Sequence, residues 1–314
     1  MISFIRLSAL GDIIHSTIIT QFLEKNNIKF DFLVDNAFKD ILSYSNFNVV
    51  GLSLKNKNFL ETYKICKNLN YDVSVDLQGL IKSAIVGKIS SKYLIGCDYF
   101  HTKEKLALLF YDKKLKIRNH SIFRYIDMIN LIFDIKVNYS EVYEHEPYLN
   151  YSNKDFIYKE YFSQNKKNII FIIGASADYK IYPKEKWVDI ANSLKENILI
   201  PYGNEKEKKI AEFIASKSSY VKILPKMNLT QLKAHLSNAD LIIGNDTGPT
   251  YIGWANNIKT IIIYGPVEAN KVVENKYTRF IKAKTKTSPN KIDKNDFSIQ
   301  KIDIKEILNA VESF

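Results

Sequence analysis

Short runs of β-branched and aromatic residues alternate along the chain with segments whose apolar positions recur at helical spacing. In the first half the runs fall at 2–7, 30–34, 73–77 and 93–96, with helix-period segments at about 12–25, 56–69 and 80–90. Such alternation predicts a parallel sheet covered by helices. The pattern breaks at 98–118, a basic and aromatic stretch. A helix is predicted over 120–133, then a polar, extended connector over 138–154. From residue 168 the alternation restarts, with runs at 169–173, 198–201, 221–224, 241–244 and 260–264 and helices at about 184–195, 205–217, 229–237 and 248–256. A lysine- and asparagine-rich stretch at 284–297 reads as a mobile loop, and a last helix is predicted over 304–314. The expectation is an α/β protein of two Rossmann-like domains, 1–154 and 155–314, facing a central cleft, with the last helix placed to pack back on the first domain.

In open parallel sheets ligands bind beyond the carboxyl ends of the strands, so the loops after strands are where chemistry is sought. Four of them stand out. The first is Arg6-Leu7-Ser8-Ala9-Leu10-Gly11-Asp12, where Gly11 suits a tight turn and Asp12 falls at a helix start. A carboxylate there is either an N-cap or a catalytic group, and local sequence favours the cap. His15, one turn on, reads as an orienting neighbour. The second loop, Asp76-Leu77-Gln78-Gly79-Leu80-Ile81-Lys82, places Lys82 beside helix-start amides, an arrangement suited to a carboxylate or phosphate. The third, Gly174-Ala175-Ser176-Ala177-Asp178-Tyr179-Lys180, offers close backbone approach and a lysine for a phosphate. The fourth, Gly244-Asn245-Asp246-Thr247-Gly248-Pro249, ends an apolar strand in a compact turn whose amides suit a diphosphate, with Asp246 able to accept from sugar hydroxyls.

Composition narrows this picture. Of 314 residues 46% are hydrophobic and 25% charged, the balance of a folded domain pair, and no apolar run is long enough to span a membrane. The N-terminus lacks the features of a signal peptide, so a cytoplasmic protein is expected. Two isolated cysteines, Cys66 and Cys97, exclude a disulfide framework and a Cys-based zinc site. The formal charge of +11 favours anionic partners. No nucleic-acid motif is present and the basic residues are dispersed, so nucleic acid is not an expected partner. There is no Walker A sequence, no GxSxG elbow and no Asp-x-Asp pair to hold a divalent cation on a nucleotide diphosphate. No metal and no cofactor are expected.

Taken in order, RLSALGD, DLQGLIKSA, the small-residue loop with Lys180 and Pro183-x-x-x-Trp187, LPKMNL, NDTG and IIIYGP resemble glycosyltransferase family 9, and within it the heptosyltransferase I type. The resemblance runs from the first strand to at least Pro266. It implies a GT-B fold and inverting, metal-independent transfer of heptose from ADP-heptose to Kdo of Kdo-lipid A, with the acceptor on the first domain and the nucleotide sugar on the second. By the same resemblance Asp12 matches the general base and Lys180 the lysine at the donor phosphates. Ala175 and Ser176 match the phosphate loop, Glu207 and Met227 the nucleoside contacts, and Asp246, Thr247 and Gly248 the residues at the heptose and diphosphate. Two positions depart from the family: Ala175 stands where threonine is common, and Tyr251, expected at the donor, stands where histidine follows the DTG turn. Acceptor contacts are expected at Gly11, Gln78, Lys82, Lys113, Lys114, His120 and Arg124. The stretch 98–118, with Lys103, Lys105, Lys113, Lys114, Lys116 and Arg118 beside Phe100, Phe110 and Tyr111, suits the anionic surface of an inner membrane at which the protein is peripheral. Another family 9 transferase, or a non-catalytic sugar-nucleotide or lipid-binding protein on the same scaffold, is the competing expectation.

Overall fold

The computed structural model describes residues 1–54, 59–117, 121–285 and 292–314. The start of the helix predicted at 56, the expected contacts Arg118 and His120, and residues 286–291 of the predicted mobile loop lie outside them. The chain divides into two compact units, Met1–Asn150 and Tyr151–Phe314. The division falls a few residues before the expected 154. A short 3-10 turn, Asn153–Asp155, belongs to the second unit, where Asp155 accepts from Thr230 Oγ1 at 3.4 Å.

In the first unit β1 (Ile2–Ile5), β2 (Phe30–Asp35), β3 (Asn48–Leu52), β4 (Tyr71–Asp76), β5 (Ser91–Cys97) and β6 (Lys113–Leu115) form one parallel sheet in the order β3-β2-β1-β4-β5-β6. The second unit repeats the plan with β7 (Asn168–Ile172), β8 (Asn197–Ile200), β9 (Val221–Ile223), β10 (Leu241–Asn245), β11 (Thr260–Tyr264) and β12 (Thr278–Lys282), ordered β12-β11-β10-β7-β8-β9. Every strand-to-strand pairing among the described residues is parallel, and the central strands are buried apolar runs because helices cover both faces.

The helices are α1 (Leu10–Ser16), α2 (Ile19–Lys25), α3 (Phe59–Leu69), α4 (Ile81–Ser90), α5 (Phe123–Phe133), α6 (Ser140–Tyr143), α7 (Lys184–Leu194), α8 (Glu205–Lys217), α9 (Leu229–Ser237), α10 (Gly248–Ala255) and α11 (Ile304–Glu312). The single helix predicted over 12–25 is broken at Thr17 and Ile18. Ser16 and Thr17 donate their hydroxyls to the carbonyls of Ile13 and Ile14, at 3.0 and 2.7 Å, and such back-bonding bends helices. The last helix belongs to the second unit. Asp303 caps α11, and its Ile307 and Ala310 join the second unit's core with Trp187 and Ile190 of α7.

Candidate active site

Both sheets share one strand order, so each has a switch point between its first and fourth strands, β1 and β4 or β7 and β10. There the chain leaves neighbouring strands in opposite directions and opens a crevice for ligands. All four loops singled out by sequence lie at these two points.

At the first switch point, Arg6 follows β1 and is wholly buried. Its Nη1 donates to the Leu77 carbonyl at 2.7 Å, and its Nη2 lies 2.5 Å from Asp12 Oδ2. His15 Nε2 is 3.5 Å from Asp12 Oδ1 and Lys103 Nζ 3.7 Å from Oδ2. The N-cap of α1 is Ala9. Asp12 stands in the first helical turn with its carboxylate turned to these basic side chains, so the capping role is not the one it plays. Gly11 also lies within that helical turn and forms no tight turn. The glycine held at positive φ is Gly79, at 73°, in the loop after β4.

That second loop is organised by Asp76, which is buried. Its Oδ1 accepts from the amides of Gln78 and Gly79 at 2.8 and 3.1 Å, and its Oδ2 from Ser83 Oγ and Tyr111 Oη at 2.9 and 2.7 Å. Burial pushes this carboxyl upward, and the four hydrogen bonds offset that only in part. Leu80 N donates to Ser83 Oγ at 3.1 Å, and Ile81 N to Glu104 Oε2 at 2.7 Å. The expected anion position beside Lys82 is therefore filled by the chain's own Glu104, while the Lys82 side chain is exposed. Gln78 stitches the two loops together: its Oε1 accepts from Leu7 N at 2.8 Å and its Nε2 donates to Ser8 Oγ at 3.3 Å. Gln78, expected to meet the acceptor, spends its amide on the scaffold. Beside it opens a cavity of about 430 Å³ lined by Ser8, Asp35, Gln78, Leu80, Lys82 and Glu104.

Other expected acceptor residues lie apart from this point. Lys113 and Lys114 are exposed on the edge strand β6, with β4 and β5 between it and β1. Lysines on an edge also block strand addition. Arg124 donates to Tyr125 Oη at 2.6 Å and stacks over that ring. Burial opposes its charge, but Tyr125, Cys97 and Asp12 favour it, and its displacement is upward. Of the three aromatics read as an interface, only Phe100 is exposed. Tyr111 is buried on Asp76, and Phe110 packs partly against the core. Burial pushes the Cys66 and Cys97 thiols up to about 11 and about 12, which leaves them unreactive.

At the second switch point a 3-10 turn, Asp178–Lys180, presents Lys180 to Asp246 Oδ2, while Tyr251 on α10 donates to Asp246 Oδ1. Each oxygen of Asp246 thus already accepts a hydrogen bond. Tyr251, expected at the donor, is 1% exposed, with its hydroxyl on Asp246. Burial would raise the Asp246 carboxyl, but the charges of Lys271 and Lys180 and the hydrogen bonds from Lys180 and Tyr251 outweigh it, and the net displacement is downward. Thr247 is the N-cap of α10 and makes no side-chain cap, which leaves the helix-start dipole directed at the loop. Ala175 is half-buried and Ser176 exposed in the loop after β7. Gly174 admits the Glu207 side chain, whose Oε1 would lie 2.3 Å from an added Cβ. Glu207 Oε2 accepts from Gly203 N at 2.7 Å, and Met227 sits half-buried in the loop after β9. The expected donor residues thus all fall on the carboxyl edge of this sheet.

Sequence reasoning quoted Arg6, Asp76 and Asn245 but gave them no role. Asn245 Nδ2 donates to the Ile173 carbonyl at 2.7 Å and its Oδ1 accepts from Tyr182 N at 3.2 Å, clasping both ends of the segment that carries Lys180. The available signal was a charged or amide side chain at the end of an apolar strand, where burial demands partners.

A family model described as glycosyltransferase family 9 (heptosyltransferase) matches residues 62–298. The lipopolysaccharide heptosyltransferase 1 of Campylobacter coli is 35% identical over 337 positions, covering 99% of this chain and 98% of that protein. The protein of the same name from Escherichia coli strain K12 is 25% identical, covering 84% and 87%. Among solved structures, E. coli heptosyltransferase WaaC with ADP-2-deoxy-2-fluoro heptose aligns at a TM-score of 0.77 and 22% identity, covering 99% of this chain and 98% of that one. The two parallel six-stranded sheets with their helices are the GT-B architecture. The chain belongs to glycosyltransferase family 9, the heptosyltransferase family.

Proposed function

We propose that this enzyme transfers L-glycero-D-manno-heptose from ADP-heptose to Kdo of Kdo-lipid A, with inversion and without a metal. The first unit takes the acceptor and the second the nucleotide sugar. The observation that carries the reading is the setting of Asp12, a first-turn carboxylate at a switch point, oriented by a buried guanidinium that also grips the neighbouring loop. The name of the Campylobacter coli relative supports heptose as the transferred sugar and lipopolysaccharide as the pathway.

In a single displacement the acceptor oxygen bonds to the anomeric carbon as the bond from that carbon to the diphosphate breaks. The proton passes to Asp12 and the negative charge to ADP. A carboxylate held between Arg6 and Lys103 takes a proton late, once the hydroxyl is already bonding to an electron-poor carbon. Lys180, Lys271 and the amides at the start of α10 supply positive potential for the leaving diphosphate, and one such donor is typically worth about 3 kcal/mol of barrier. The donor set here is ammonium and amide, and among the described residues no cluster of three or more His, Cys, Asp or Glu is placed to hold a metal. No helix among them is long and apolar enough to cross a membrane. We assign the membrane contact instead to the exposed Tyr99, Phe100, Leu106 and Leu109 with the lysines around them, at the cytoplasmic face of the inner membrane.

The test is incubation with ADP-heptose and Kdo-lipid A, reading product mass and ADP release together, before and after exhaustive EDTA treatment. One heptose added per ADP released, in both arms, is the expected result. ADP release without product, or activity that only Mg²⁺ restores, would count against the reading.

A further inference from the structure

Asp246 is a buried carboxylate of the second unit whose partners come from four directions. Lys180 reaches it from the turn after β7 and Tyr251 from α10. Tyr264 on β11 interacts with Tyr251 and with the Asp246 charge, and Lys271 adds positive potential from the segment beyond β11. Glu274 faces Tyr264 from the same side. Asp246, Tyr251 and Tyr264 are each at most 3% exposed, whereas Thr247 and Gly248 beside them are half-buried at the carboxyl edge.

The two hydrogen bonds to Asp246 differ in kind. Lys180 is a largely buried cation, 8% exposed, whose long unbranched stem rises from the turn after β7, where a diphosphate would compete with Asp246 for its ammonium. Tyr251 is fixed in the core of α10 with its ring packed and one hydroxyl to place. Burial holds that phenol far above its ordinary range, so it donates a proton at every pH at which the enzyme works.

We propose that Tyr251 is a positioning residue that permanently engages Oδ1 of Asp246, so that the Lys180 partnership with Oδ2 is exchangeable and Oδ2 becomes the acceptor for a hydroxyl of the transferred sugar. Resting on the placement of the donor in the second unit, this assigns Lys180 and Asp246 a shared state before binding and separate ligands after it: Lys180 moves to the diphosphate and Asp246 to the sugar. The sugar half of the donor is then read by a carboxylate whose orientation Tyr251 sets, while the nucleotide half is not.

The contrast gives the experiment. Tyr251→Phe keeps the packed ring and deletes the hydroxyl, and Tyr251→His supplies a different N–H donor. Binding of ADP alone and of ADP-heptose is measured by calorimetry, and kcat, KM and the pH profile by ADP release, with melting temperature as the check on folding. Tyr251→Phe is expected to keep ADP affinity within about threefold. Its KM for ADP-heptose should rise and kcat fall, together lowering kcat/KM at least tenfold. Since the lost hydrogen bond lowers the Asp246 carboxyl, the acidic limb of kcat/KM should move to higher pH. Tyr251→His should recover part of kcat/KM. A well-folded Tyr251→Phe enzyme with wild-type kinetics and pH profile overturns the proposal, as does an equal loss of ADP and ADP-heptose affinity, the mark of a purely structural role. ADP binding by the wild-type chain separates the two levels. Its absence removes the donor placement, whereas binding with unmoved variant kinetics removes only the role of Tyr251.

Discussion

Arg6 has no solvent exposure and two anchors, the Leu77 carbonyl and Asp12, so the carboxylate it holds cannot wander far from the loop between β4 and α4. Replacing Asp12 by Asn tests what that carboxylate does. Ala9, not Asp12, occupies the N-cap position of α1, so the substitution should leave the helix start intact. It weakens a charge-assisted contact to Arg6, worth about 1–3 kcal/mol. If Asp12 takes the acceptor proton, turnover should fall by roughly 10²–10⁴ while ADP-heptose affinity stays unchanged. Turnover, calorimetric affinity and melting temperature on the same preparation decide it, and near-normal turnover in a folded Asp12→Asn enzyme removes Asp12 from the chemistry. The motif around Asp12 was legible because it sits in one unbroken stretch. Its partner Lys103 and the Tyr111 that fixes Asp76 were not, since each is brought in from distant sequence by the sheet. Tyr251 was legible as a departure from the family, but its aim at Asp246 depends on the turn of α10 and no spacing rule reveals it.

Strands in the middle of each sheet announced themselves, as did the edge strand β9, but the other edge strands did not. The three strands that periodicity missed, β3, β6 and β12, are all outermost in their sheets. An edge strand is only half covered, so Asn48, Lys113, Lys114, Arg279 and Lys282 interrupt the apolar run that marks a central strand. A second feature of this scale escaped notice because it depends on one imidazole. On α9, His235 bonds the Gln231 carbonyl through Nδ1 at 2.7 Å and accepts the Tyr158 amide on Nε2 at 3.1 Å, inside a collar of Phe156, Tyr158 and Phe162. That pattern requires the neutral ring, and burial lowers the His235 value below its ordinary 6.5. The stability it contributes is complete above 6.5 and is lost as the pH falls toward the folded value, where Nε2 becomes a donor facing another donor. The protection factor of the Tyr158 amide, its exchange rate relative to the intrinsic rate at each pH, should therefore fall between pH 7.5 and 5, with Tyr158 losing protection earlier than the core amides of β7. His145, pushed down to about 4 by burial in the first unit, has the same sign, so melting temperature alone will not isolate His235. A Tyr158 amide whose protection is flat across that range would show that the ring does not hold this segment.

For the molecule as a whole the open question is whether a formal charge of +11 is directed or merely dispersed. Composition cannot separate the two, because a lysine-rich chain places charge on every face. The structure supplies a local asymmetry: Phe100 is 76% exposed and Leu109 80%, far beyond what a folded surface needs, and Lys103, Lys105, Lys113 and Lys114 are exposed in the same stretch. An apolar knob among lysines suits the interface of an anionic bilayer, with the rings and leucines entering the headgroup layer and the ammonium groups meeting phosphates. The two contributions are separable by salt. Binding to vesicles containing anionic phospholipid should exceed binding to zwitterionic ones and weaken as ionic strength rises. Lys113→Glu with Lys114→Glu should lower anionic-vesicle affinity roughly ten- to hundredfold, since each basic side chain near such a surface contributes about 1 kcal/mol. The same variant should impair use of Kdo-lipid A and leave ADP-heptose binding intact. Phe100→Ser with Leu109→Ser should instead remove the part of binding that survives high salt. Co-sedimentation of both variants across a salt series reads the two parts directly. Equal binding of wild type to both vesicle types, with unchanged acceptor kinetics in the charge-reversed variant, would reduce these lysines to guards of the β6 edge and leave the positive charge without a direction.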